Sequence, residues 1–230
     1  MRPTLRTVLL SALMLLPLAT AWADEEPAAE IDLFRPAPGA AKAVVWTAFH
    51  EGPDVKMEDV WLIRDGVVIC KGSPKGYLRT ERDFTNFVLK LEWRRPKGKK
   101  PGPGGVLVRM TGKDKIWPKS LEAQLNAGAA GDFWGLDGYG LAGPEERTTS
   151  LEHPQFGKLT NVKKIKDAEK PPGEWNVYEI IADGDVVTLR INGEEVNRAT
   201  GCDVVPGKIC LTAEGEEIHF RNVRLSPLTK

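Results

Sequence analysis

The sequence predicts an all-β sandwich of two antiparallel sheets, and three observations carry that prediction. Short apolar runs with period-two alternation recur along the chain, and turn signals separate them at regular intervals. Beyond the first two dozen residues no segment sustains a helical period. Strands of this kind are apolar on one face only, so two sheets pack those faces together.

The chain of 230 residues opens with Arg2 and Arg6, then an apolar run from Val8 to Ala21 and the small residues of Ala21-Trp22-Ala23. Residues 1–23 therefore read as a secretory signal peptide. The run is short for a membrane span, and Pro17 interrupts it. The expectation is an exported protein, periplasmic or extracellular, with no stable membrane span after cleavage. Cleavage lowers the basic residues from 32 to 30 against 32 acidic ones, a net charge of −2. Such balance argues against nucleic acid or anionic lipid as partner. A small neutral carbohydrate or glycoside is the natural ligand. Residues 24–42, rich in acid, Ala and Pro, read as a mobile lead-in, and 43–230 as one sandwich domain.

The elements follow in order. "VWLIRDGVVICKG" holds two β-branched runs joined at Asp65-Gly66, a hairpin signal because both residues tolerate positive φ. "FVLKLEWR" alternates, with Phe87, Leu89, Leu91 and Trp93 inward and Lys90, Glu92 and Arg94 outward. "RRPKGKKPGPGG" cannot hold a ladder and reads as a solvated basic loop, after which "GVLVRM" resumes the sheet. "EWNVYEIIA" and "VVTLRI" alternate, and Asn192-Gly193 is a second hairpin turn. In "EIHFRNVRL" Ile218 and Phe220 share one phase and Val223 and Leu225 the other, which a bulge near Arg221-Asn222 reconciles. Trp175 reads as core, and His50 and His219 as structural. Cys202 and Cys210 flank "VVPG", which leaves a disulfide between them open, while Cys70 reads as a buried apolar residue.

Chemistry concentrates in "PKSLEAQLNAGAAGDFW". If Leu121, Ala123 and Leu125 face the core, Glu122, Gln124 and Asn126 share the other face. That face is either a solvated strand surface or a carboxylate-and-amide set for sugar hydroxyls. The small residues that follow allow close approach of a ligand, and Asp132 and Trp134 end the segment. Trp117, Trp134 and Tyr139 are candidate stacking faces, each with core packing as its alternative. Arg109 in "GVLVRM" either snorkels at the sheet edge or fixes a carbonyl or hydroxyl with its planar fork. His153, in "LEHPQF", is a loop residue able to titrate near neutrality. No spacing of His, Cys, Asp and Glu marks a zinc site, and neither a nucleophile elbow nor a phosphate loop occurs. No cofactor is predicted; a divalent ion held by backbone carbonyls would leave no signature.

The segments "DFTNFVLKLEWR", "GGVLVRM", "SLEAQLNAGAAGDFW", "KPPGEWNVYEIIADGDVVTLRINGEEVN" and "GKICLTAEGEEIHFRNVRL" occur in an order that resembles the 3-keto-disaccharide hydrolase domain family. The resemblance spans about Val44 to Leu228. It implies a concanavalin-like jelly roll and cleavage of glycosides whose sugar carries a ketone at C3. Such a ketone acidifies the C2 proton. A base removes it, an enolate forms, the C1 substituent leaves by elimination, and water adds back. On this reading Glu122 is the base, Gln124 and Arg109 orient the substrate or stabilise the enolate, and Asp132 or His153 protonates the leaving group. Retaining glycosidases instead present two carboxylates about 5–5.5 Å apart. The strand offers Gln124 and Asn126 where partner acids would stand, which argues against an ordinary retaining glucanase. Two departures from the family pattern point to a changed pocket: Pro103-Gly104-Gly105 replaces a common Asn-Ser-Gly, and Thr212 a common Gln. An exported hydrolase or lyase leads. A carbohydrate-binding module without chemistry and a structural cell-surface domain are the alternatives.

Overall fold

The computed structural model describes residues 29–36 and 44–228; the expected signal peptide lies outside them. Two antiparallel sheets of eight strands each form a sandwich. The back sheet runs β14 (Glu194–Ala199), β13 (Val186–Ile191), β12 (Asn176–Asp183), β6 (Phe87–Arg94), β16 (Ile218–Pro227), β4 (Val67–Cys70) and β3 (Trp61–Arg64), with β1 (Ile31–Asp32) added to β16. The front sheet runs β10 (Thr148–His153), β11 (Gly157–Val162), β9 (Phe133–Leu136), β8 (Ser120–Gln124), β7 (Gly105–Met110), β15 (Lys208–Ala213), β5 (Gly76–Thr80) and β2 (Trp46–His50). One α-helical turn, α1 (Met57–Val60), is attached.

The alternation in β6 does what its pattern dictates: Phe87, Leu89, Leu91 and Trp93 are buried between the sheets. They meet Val106 and Val108 of β7, Leu121 and Ala123 of β8, and Ile209 and Leu211 of β15 in one core. Full burial of each large apolar side chain contributes about 1.5–3 kcal/mol. Both hairpin turns form, with Asp65, Gly66, Asn192 and Gly193 all at positive φ. The expected bulge in β16 sits at Asn222, whose φ is 51°, where the register with β6 shifts between Arg221 and Arg224.

Several expectations are corrected. Residues 31–34, assigned to a mobile lead-in, are docked: Ile31 pairs with Leu225, Leu33 is fully buried, and Phe34 stacks on Trp46 at 4.5 Å. Arg95, assigned to a solvated loop, is buried against Glu169 at 2.7 Å and lies over the Trp93 ring. Trp175 is not core. It is half-buried on the outer face of the back sheet, between the Arg94 and Arg221 guanidiniums, 4.5 and 4.1 Å from its ring centre. Cys202 and Cys210 are free thiols; Cys202 packs in the inter-sheet core and Cys210 on the outer face of the front sheet.

The front sheet carries a second apolar cluster on the face turned away from the core. It comprises Tyr77, Leu107, Met110, Leu136, Leu159 and Cys210, with Trp117, Trp134 and Phe156 packed over it. A sheet face that is solvated in an ordinary sandwich is here apolar and roofed by loops, and the cleft forms there.

Candidate active site

The cleft has two lobes that meet at Trp117 and Glu214. One, of about 370 Å³, is lined by Glu122, Gln124, Asn126, Trp134, His153 and neighbouring leucines. The other, of about 300 Å³, is lined by Tyr77, Leu107, Ile116, Phe156, Thr212 and others. The first is the Trp134 lobe and the second the Tyr77 lobe. Glu122 belongs to the first only, while Glu214 borders both.

Each lining side chain is aimed by strand register. β8 pairs with β9 so that Glu122 stands opposite Trp134, and with β7 so that Glu122 stands opposite Leu107. Glu122 is only 5 % exposed although its strand neighbours on the core side are Leu121 and Ala123. Room for its carboxyl comes from Gly105 on β7. A Cβ there would lie 2.3 Å from Glu122 Oε1. The Gly105 amide donates to Thr212 Oγ1 at 2.7 Å, tying β7 to β15 beneath the acids. Gly105→Ala is therefore expected to dislodge the Glu122 carboxyl while the backbone stays in place. Circular dichroism should be unchanged, and any activity that depends on the Glu122 carboxyl should fall by roughly a hundredfold.

Glu214, one residue past the end of β15, is the group that sequence reasoning missed. It sits in "AEGEE", which reads as an acidic solvated turn, yet its Oε1 is buried without a hydrogen-bond partner among the described residues. Two neighbouring buried carboxyls cannot both ionise cheaply. Burial, then the charge of Glu214, pushes Glu122 well above the ordinary carboxylate value of 4.5. Burial also raises Glu214, but a hydrogen bond from Thr212 and the Lys75 ammonium oppose the rise. Glu122 is therefore the member of the pair that holds its proton more tightly.

This arrangement has a consequence for stability. Glu122 holds its proton in the folded state at pH values where the unfolded chain has lost it. Between 4.5 and the raised value, folding therefore loses stability as pH rises. Glu122→Gln mimics the protonated form and escapes that loss. Its melting temperature should exceed that of the wild type at pH 7, and the gain should vanish near about pH 4. Equal melting curves at both pH values would refute the assignment.

The remaining candidates divide. Gln124, Asn126, Trp117, Trp134 and His153 line the Trp134 lobe. Asn126 Oδ1 accepts from the Gly104 amide at 3.2 Å, and the Trp134 indole Nε1 is buried without a partner among the described residues. His153 ends β10 rather than lying in a loop. Its Nδ1 accepts from the Gln155 and Phe156 amides, both at 3.2 Å, which makes Nε2 the protonated nitrogen of the neutral ring. Trp117 has φ 54°, a strained value for a non-glycine residue. Its loop is clamped by Asp114, which accepts from the Tyr77 hydroxyl at 2.7 Å, and by Lys115, paired with Asp137 at 2.7 Å.

Three candidates lie elsewhere. Arg109 is fully buried, and its guanidinium donates to the carbonyls of Thr85, Asp203 and Gly184 at 2.8–2.9 Å. Tyr139 is packed in the core, with its hydroxyl donating to Asp203 O at 2.8 Å. Asp132 accepts from the Lys164 amide at 2.9 Å and caps the neighbouring strand end. Arg109 and Tyr139 are spent on the fold, and none of the three lines either lobe.

Fold and site together define a jelly-roll sandwich of the glycosyl hydrolase-like or carbohydrate-binding kind. The chain belongs to the family of 3-keto-alpha-glucoside-1,2-lyase-like domains, whose model matches residues 41–226. No curated protein matches it. Among solved structures it is similar to a candidate glycosyl hydrolase from Parabacteroides distasonis, with 22% identity, TM-score 0.55, and 80% of this chain and 88% of that one covered. It is also similar to the carbohydrate-binding module CBM66 from Bacillus subtilis, with 14% identity, TM-score 0.56, and coverage of 79% and 94%. A third likeness is to LamAcat from Zobellia galactanivorans, with 11% identity, TM-score 0.56, and coverage of 88% and 98%. At these identities the structural likeness speaks to the fold. No helix among the described residues is long and apolar enough to cross a membrane.

Proposed function

We propose that this is an exported enzyme that cleaves 3-keto-glycosides by elimination across C1 and C2, followed by addition of water. The observation that carries the reading is the pair of carboxyls in one cleft, Glu122 almost fully buried in the Trp134 lobe and Glu214 at the junction with its Oε1 unpartnered among the described residues. The oxidised ring occupies the Trp134 lobe, where Glu122, Gln124 and Asn126 supply the polar groups. Its C3 carbonyl meets Glu122 and its C1 substituent points past Glu214 into the Tyr77 lobe.

In that pose the Glu214 carboxylate takes the C2 proton. The released electron pair moves onto the C3 oxygen, and the Glu122 acid donates a hydrogen bond to the enolate. A carboxyl kept neutral by an apolar site is suited to that task. Collapse of the enolate forms the C1–C2 double bond and breaks the C1–O bond, and Glu214 returns its proton to the departing oxygen. Water then adds across the double bond. This reverses the base role that the sequence alone assigned to Glu122 and gives the leaving-group proton to Glu214 rather than to Asp132 or His153.

The test is release of 4-nitrophenol from its 3-keto-glucoside by the wild-type protein, with and without a chelator. Release supports the reaction, and the chelator arm reads any dependence on a divalent ion. A folded protein that binds glucosides yet releases nothing would move the reading to a carbohydrate-binding module.

A further inference from the structure

The geometry points to the Tyr77 lobe as a slot for a planar aromatic aglycone, so that the substrates are aryl glycosides; this rests on the elimination reading above. Glu122 borders only the Trp134 lobe, which places the oxidised ring there. Glu214 borders both lobes and marks the position of the bond that breaks. The leaving group must then lie in the Tyr77 lobe, whose volume of about 300 Å³ admits one ring.

The lining decides which ring. The floor is Tyr77 and Leu107, both buried in the second apolar cluster. The wall is the Trp117 and Phe156 pair, with ring centres 4.4 Å apart and planes tilted by 52°, and Ile116 of the same loop adjoins it. A second sugar needs fixed donors and acceptors beneath its hydroxyls, and the floor has none to spare. The Tyr77 hydroxyl already donates to Asp114 at 2.7 Å, and Thr212 Oγ1 is bonded to Gly105. The other polar side chains of the lobe are Glu51, Lys75 and Gln155, exposed at the mouth, and Glu214 at the junction. Apolar floor, aromatic wall and polar rim fit a flat ring whose substituents reach solvent. The chemistry agrees, because a phenol departs more readily than an alkyl alcohol and one junction carboxyl can serve it.

Calorimetric titration with unoxidised 4-nitrophenyl glucoside, methyl glucoside and a glucose disaccharide tests the slot without requiring turnover. The aryl glucoside should bind at least roughly tenfold more tightly than either of the others. Ile116→Ser should remove most of that advantage. A disaccharide that binds as tightly as the aryl glucoside would overturn the proposal, as would an aryl preference untouched by Ile116→Ser. Should that variant not fold, the wild-type ranking decides alone. Aryl preference without cleavage of the 3-keto-glucoside keeps the slot and removes the reaction; cleavage without aryl preference does the reverse.

Discussion

Glu214→Gln should lower kcat for cleavage of a 3-keto-glucoside by about 10²–10⁴-fold, the usual contribution of a positioned general base. The substitution keeps the shape of the side chain and removes its charge, so substrate binding should change far less than turnover. Glu122→Gln should be milder, because the amide still presents an N–H where the acid presented O–H. Glu122→Ala, which removes the donor, should cost about 10²–10³-fold, as losing an oxyanion donor does. The order Glu214→Gln worse than Glu122→Gln is the decisive result. If Glu122→Gln were inactive and Glu214→Gln active, the proton would sit on the other member of the pair.

Arg109→Met should be the most destabilising change in the front sheet. The guanidinium satisfies three backbone carbonyls and reaches Asn86 Oδ1 at 3.3 Å, all from a fully buried position. A buried acceptor left without its donor costs roughly 1–3 kcal/mol, so the total loss should exceed about 3 kcal/mol in denaturant unfolding. Arg109→Lys should not rescue it, since one ammonium cannot span the geometry of the planar fork. A variant as stable as the wild type would mean that these carbonyls find water instead.

Most of the sandwich was legible because alternation reports burial directly. β6 reads correctly residue by residue, and the two Asx-Gly hairpins form as their φ preferences require. The face of β8 was legible too, since Leu121 and Ala123 fix where Glu122 and Gln124 point. Arg109 was misread because alternation fails at one residue. Its φ is 52°, the register between β7 and β15 shifts beside it, and Gly207 allows its backbone to pass within a Cβ's reach. A bulge sends the side chain to the opposite face. Glu214 was not legible at all. Nothing local distinguishes it from Glu216 and Glu217, which pair with lysines at the surface. Only the order β8-β7-β15, set by long-range pairing, brings it to Glu122.

The two lobes are walled by parts that the sandwich does not need. Trp117 and Ile116 ride on the loop between β7 and β8, and His153, Gln155 and Phe156 sit at the tip of the β10–β11 hairpin, the outermost pair of the front sheet. None of these five belongs to the inter-sheet core. Mutational drift can therefore reshape either wall without unfolding the protein, while the acids stay anchored to the central strands. Relatives built on this plan would be free to change what the lobes hold while keeping the acids in place.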